Sequence, residues 1–124
     1  MKRSGFTMVE LIFVIVILGI LAAVAIPRLA ATRDDAKATK ASMNLATFIS
    51  DIGAYYTSHG SATASNSGVS LASDGCFTST FSSNGALLTI ASSGTTVDCT
   101  IAHSIASKAG NLGLKDFGGS SITY

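Results

Sequence analysis

Charge is scarce in this chain. Lys and Arg number 8 and Asp and Glu 7, for a formal net charge of +1 over 124 residues. No basic run stands out, and binding nucleic acid needs clustered Lys and Arg to displace counterions, so the composition argues against a nucleic-acid partner. The two histidines, His59 and His103, are solitary and read as helix-end or surface residues. Asp74, Asp98 and Asp116 are scattered, with no paired carboxylates and no EF-hand spacing. Two cysteines, Cys76 and Cys99, with no more than one histidine near either of them, do not make a tetrahedral zinc site. The glycines form no phosphate loop, and no Asn-x-Ser/Thr sequon is present. No metal, cofactor or catalytic constellation is expected, so the chain reads as a non-enzyme.

What the chain does have is an apolar N-terminus. From Phe6 to the single proline, Pro27, the only charge is Glu10 among Leu, Ile, Val, Ala and Phe. A helix from Phe6 to Ile26 would be about 31 Å long, close to the thickness of a bilayer core. Lys2 and Arg3 precede it, and Arg28 and Arg33 follow. A secretory signal peptide has a similar basic start, and Ala23-Val24-Ala25 offers a small-x-small cleavage site, so export with a cut after Ala25 stays open. A permanent single-pass anchor stays open too. Glu10 fits neither well. A carboxylate carried unpaired to mid-membrane costs roughly 2.5–3.5 kcal/mol and adds nothing to export. Lys2 and Arg3 lie more than a helical turn away, so a cationic partner must come from another chain or from a new amine made by cutting this one.

Lys2-Arg3-Ser4-Gly5, then Phe6-Thr7-Met8-Val9-Glu10, then the apolar run with Gly19 and Pro27, resembles the N-terminus of the type IV pilin-like family, which includes type IV pilins and type II secretion pseudopilins. The resemblance is dense over residues 2–27 and weakens beyond. It implies that a prepilin peptidase cuts between Gly5 and Phe6 and methylates the Phe6 amine. It also implies that Glu10 pairs with the N-terminal amine of a neighbouring subunit during filament assembly. The precursor would sit in the inner membrane with a periplasmic head, and an ATP-driven inner-membrane platform would lift it into a homo-oligomeric filament. Cutting there removes Lys2 and Arg3, one charge each, and takes the net charge from +1 to −1. It leaves a free amine four residues from Glu10, where a costly lone acid becomes a register device. Between Gly19 and Pro27 the resemblance suggests a loss of helicity in filaments, and a Pro kink in a continuous helix is the other reading.

After Pro27 the pattern is amphipathic. Leu29, Ala36 and Met43 fall seven apart, followed by Leu45, Phe48, Ile49, Ile52 and Tyr55 or Tyr56 at three and four. Arg33, Asp34, Asp35, Lys37 and Lys40 form either a solvated face or salt bridges between subunits, with Asp34 and Lys37 placed to pair at i,i+3. His59-Gly60 should stop the helix. Residues 61–75 read as a Ser-, Ala- and Gly-rich loop, with only a weak compositional hint of O-linked sugar. Three strands are expected next, Cys76 to Phe81, Ala86 to Ala91 and Thr96 to Ala102, with turns at Ser83-Asn84-Gly85 and Ser92-Ser93-Gly94. The tail from His103 is harder to read, with an edge strand suggested at Ser121 to Tyr124. The expected fold is α+β: a long kinked N-terminal helix packed on a small antiparallel sheet. Its parts are a leader at 1–5, a hydrophobic helix at 6–27, an amphipathic helix at 28–60, the loop at 61–75 and a head at 76–124.

A head in the oxidising periplasm favours a Cys76–Cys99 disulfide. Closing that loop of about 24 residues would contribute roughly 3 kcal/mol. Calcium, which major pseudopilins of the family bind in a C-terminal loop, finds only Asp116 in this tail. The expected function is that of a pilus subunit, with a secretion pseudopilin as the nearest alternative.

Overall fold

A computed structural model describes residues 5–118. The element order is α1 (Met8–His59), β1 (Phe77–Ser82), β2 (Leu87–Ser92), α2 (Val97–Lys108) and β3 (Gly113–Asp116), with short 3-10 turns at Ala64–Asn66, Leu71–Ser73 and Ser83–Gly85. The chain divides into two units, residues 1–33 and residues 34–124, and α1 runs through the boundary.

In the first unit α1 is helical through both Gly19 and Pro27. Its described side chains are exposed, and between Met8 and Leu29 they are overwhelmingly Leu, Ile, Val and Ala. A continuous helix is what such a stretch demands in lipid, where an unpaired backbone group costs several kcal/mol.

The second unit holds the core. On α1, Ala38, Ala41, Ser42, Leu45, Phe48 and Ile52 are buried at the three–four spacing of one helix face. Leu29 and Met43, expected on the packed stripe, are 73% and 65% exposed, and Ala36 is exposed as well. The reason is size. The early part of the buried face is made of small residues because α2 lies against it: Ala102 and Ala106 of α2 are fully buried, and the Ser42 hydroxyl donates to the Ala102 carbonyl at 3.3 Å. Bulky side chains there would hold the two backbones apart, so the contact is written in Ala and Ser.

β1, β2 and β3 form one antiparallel sheet in that order. Phe77 pairs with Ser92 and Ser82 with Leu87, which sets both hairpin strands one residue later than expected. Phe77, Leu88 and Ile90 point into the core, and Phe81 packs at its edge against Phe48, ring edge to face at 6.4 Å. The third strand of the sequence reading is a helix. Residues 97–108 form α2, and the sheet takes its third strand from Gly113–Asp116, in the tail that had little pattern. Thr96 to Ala102 is rich in β-branched residues, which reads as strand, but the segment also carries helix punctuation. Asp98 lies in the first turn and Lys108 in the last, where each suits the helix dipole. At the far end Gly110 (φ 70°) donates to the Ser107 carbonyl at 3.1 Å and Asn111 to that of Ala106 at 2.9 Å, a Schellman stop. The strand suggested at Ser121 to Tyr124 lies outside the described residues.

Turns close as expected at two places. Gly60 (φ 72°) ends α1, its N–H bonded to the Tyr56 carbonyl at 2.8 Å. Ser83, Asn84 and Gly85 all have positive φ and join β1 to β2. A Cβ on Gly85 would stand 2.5 Å from the Ala62 nitrogen, overlapping backbone that cannot move aside, because the Ala62 N–H is bonded to the Asn84 carbonyl at 3.2 Å. Gly85→Ala is therefore expected to destabilise the second unit by about 3 kcal/mol or more, combining left-handed strain with overpacking. Thermal unfolding checks it, and a variant as stable as the parent would contradict the described turn.

The loop at 61–75 is tied down rather than free. Asp51 of α1 accepts from the Ser67 hydroxyl at 2.8 Å and the Gly68 N–H at 3.2 Å, and the Asn44 side-chain amide donates to Asp74 at 2.6 Å. Ala62 and Leu71 are buried.

Asp98 has its carboxyl held below the usual carboxylate range, first by the Thr96 hydroxyl beside it, with the backbone N–H groups of the α2 N-terminus and the Lys37 charge adding to this. A depressed native pKa stabilises the fold above the unfolded value of about 3.9 and ceases to do so as pH falls through the native value. Asp98→Asn should thus be less stable than the parent at neutral pH, with the two melting temperatures converging below about pH 4. A gap that stays constant from pH 7 to pH 2 would show that the carboxylate is not the cause.

Candidate functional site: the helix N-terminus

The first unit presents its site at the start of α1. Gly5, Phe6 and Thr7 precede the helix, and Phe6 is 91% exposed. A Cβ built on Gly5 meets nothing within 4 Å, so the fold itself places no demand on that glycine.

Thr7 and Glu10 form a reciprocal pair. The Thr7 N–H donates to Glu10 Oε2 at 3.1 Å, and the Glu10 N–H donates to Thr7 Oγ1 at 3.3 Å. The Leu11 N–H reaches the Thr7 carbonyl at 3.2 Å, the first bond of the helix. This is a capping box, in which a hydroxyl residue and an acid three positions later satisfy two orphan donors together. Reading Glu10 only as a membrane-embedded acid misses it, although Thr7-Met8-Val9-Glu10 spells the motif. Around the carboxylate lie Phe6, Val9, Phe13 and Val14, all apolar. One charged group therefore stands on an exposed apolar surface at the start of a helix, half satisfied by its own chain and with acceptor capacity left over.

Among the described residues α1 is the one helix long and apolar enough to cross a membrane. Gly19 and Pro27 lie within it, and a Cβ on Gly19 also meets nothing within 4 Å. Nothing in the isolated chain requires a glycine there.

The remaining singled-out residues belong to the second unit. Cys76 and Cys99 form a disulfide with Cα atoms 5.0 Å apart, Cys76 just ahead of β1 and Cys99 in α2 rather than in a strand. Donor atoms of Cys76, Cys99 and Asp98 cluster within 4.8 Å, but with the sulfurs bonded to each other a metal would find only one carboxylate. Asp116 accepts from the Gly118 N–H at 2.9 Å within its own turn. His59 ends α1, exposed and stacked on Tyr55 at 4.0 Å. His103 departs from the surface role expected of it: half-buried, it lies 2.8 Å from two backbone carbonyls. No sequence signal marks that position, because both partners come from distant strand ends.

The prokaryotic N-terminal methylation motif matches residues 1–26. No curated protein and no solved structure matches the chain. The matched stretch covers Gly5, Phe6 and Glu10 and the start of α1, and the family that carries this motif is structural rather than enzymatic. The second half of the same helix packs on a three-stranded antiparallel sheet, the α+β arrangement of a pilin. The N-terminal methylation motif at the start of a long apolar helix, together with an α+β second unit, supports a type IV pilin-like protein.

Proposed function

We propose that the chain is a structural subunit of a type IV pilus. A prepilin peptidase cuts it between Gly5 and Phe6 and methylates the Phe6 amine, and the mature subunit polymerises through α1. The single observation that carries this reading is Glu10, the one charge in the apolar part of a helix whose described side chains there are exposed. Lipid tails are as apolar as Leu, so transfer from bilayer to filament yields little hydrophobic gain, and packing with polar contacts must direct association. Glu10 supplies the polar contact, and the amine of Phe6 on a neighbouring copy supplies its partner. While the subunit waits in the membrane, the Thr7 N–H occupies one carboxylate oxygen and lowers the penalty of holding an acid there. Before extraction the precursor is held in the inner membrane with the second unit in the periplasm. An assembly platform lifts it, and no nucleic acid takes part.

The intact mass of the native protein tests the reading. A chain that begins at Phe6, carries one methyl group and lacks both thiol hydrogens is expected. A chain beginning at Ile26 would instead identify a secreted protein cut after Ala25, and one retaining Met1 a permanent anchor. Gly5→Val should leave the leader in place with the fold intact, since the fold has no need of that glycine. Electron microscopy separates a pilus from the short periplasmic filament of a secretion pseudopilin: surface filaments built of this chain are expected.

A further inference from the structure

We propose that His103 seats α2 on the sheet before the disulfide exists, and so sets the two cysteine thiols within reach of each other. The inference is independent of the assembly reading.

His103 follows Cys99 by four residues in α2, so both side chains project from neighbouring positions on the helix surface. His103 Nε2 is 2.8 Å from the Cys76 carbonyl and 2.8 Å from the Ser93 carbonyl. Carbonyl oxygens only accept, so Nε2 carries the proton and its N–H is shared between them. Protonating the ring would add a hydrogen at Nδ1 and leave this donor in place, so the contact does not depend on the charge of the imidazole. The imidazole also meets the Phe77 ring edge to face at 5.5 Å.

The two carbonyls lie at corresponding strand ends. Cys76 precedes β1, Ser93 follows β2, and the Ser93 N–H donates to the Cys76 carbonyl at 2.8 Å. His103 thus binds the backbone of the cysteine whose side chain Cys99 binds through sulfur, one helical turn away. Two ties join α2 to the same place, and only one of them needs an oxidant. The sulfurs are then covered: Cys76 is 1% and Cys99 3% exposed, and a Cβ on Gly94 would lie 3.0 Å from Cys99 Sγ.

Oxidation by a small disulfide such as oxidised glutathione proceeds in two exchanges. One cysteine thiolate attacks the glutathione disulfide, forming a mixed disulfide and releasing one glutathione thiolate. The second cysteine thiolate then attacks the protein sulfur and expels the other. The two released thiolates take up the two cysteine protons, and two electrons pass from the cysteines to the oxidant. His103 acts on the second, intramolecular exchange, whose rate depends on how close Cys76 and Cys99 are held. It is a positioning residue and touches neither sulfur in this role.

The test uses the full chain in detergent, reduced and then exposed to oxidised glutathione, with acid-quenched samples resolved by mass. In His103→Ala the closing step should slow roughly fivefold to tenfold, so the glutathione adduct accumulates. His103→Gln, which keeps an N–H donor, should recover most of the rate. Oxidised His103→Ala should still show native helix content, because the disulfide then holds α2. In a Cys76→Ser/Cys99→Ser chain, hydrogen exchange should find α2 protected, and adding His103→Ala should remove that protection. Closure of His103→Ala at the parent rate, a Gln variant no better than Ala, or unchanged α2 protection without His103 would each overturn the proposal.

Discussion

Glu10→Val chains are expected to enter the membrane, lose their leader and form no filaments. Insertion should improve slightly, because the change removes the only charge between Phe6 and Pro27. Leader removal should continue, because Gly5 and Phe6 are untouched and stand outside the helix. The capping box is lost with the carboxylate, at about 1 kcal/mol, which frays one turn of a 52-residue helix and no more. Filament growth is where the effect concentrates, since valine offers no partner to the amine of an adjoining copy. Glu10→Gln separates the two roles of the side chain. It can still accept from the Thr7 N–H but carries no charge, so assembly should fall well below the parent while the helix start survives. Thr7→Val does the reverse, removing the hydroxyl that Glu10 N–H uses and leaving the acid. Immunoblotting of sheared surface filaments against the membrane pool reads all three variants. Filaments of normal length from Glu10→Val would sink the assembly role.

Phe48→Ala should cost the second unit about 3–5 kcal/mol, the usual range for emptying an aromatic site in a core. Phe48 is 1% exposed and meets the edge of Phe81, so it links the packed face of α1 to β1. Losses of this size are a large share of the stability of a small domain. Met43→Ala, five positions earlier on the same helix, should change stability by less than about 0.5 kcal/mol, because the side chain faces outward. Denaturant unfolding of both variants in detergent distinguishes them. Equal effects would mean that the packed stripe of α1 has been misassigned.

That contrast shows where reading by pattern reached its limit. Leu29, Ala36 and Met43 are as well spaced as any core stripe, yet α1 buries Ala38, Ala41 and Ser42 instead. Hydrophobic size is a guide to burial against a sheet, whose surface accepts large side chains, and it held for Leu45, Phe48 and Ile52. Against another helix at close range small residues take over, and that α2 was there could not be seen from α1. The error over residues 97–108 has the same root. Val97, Thr100 and Ile101 favour strand locally, while Ala102 and Ala106, buried in the helix, count only once the core has closed over them. The third strand then came from Gly113–Asp116, whose short sequence has no alternation strong enough to announce it.

By itself, the order of residues determined the parts of this protein that need only their neighbours in the chain. These are the apolar helix with its lone acid, the stop at His59-Gly60 and the turn at Asn84-Gly85. Each follows from a local property: length against bilayer thickness, the scarcity of charge, or tolerance of positive φ. Tertiary structure alone decided which face of α1 is buried, that Cys99 sits on a helix, and that His103 answers to the carbonyls of Cys76 and Ser93. Those outcomes depend on groups 10 to 60 positions apart meeting in space, and the free energy of such a meeting belongs to both partners and appears in neither stretch alone.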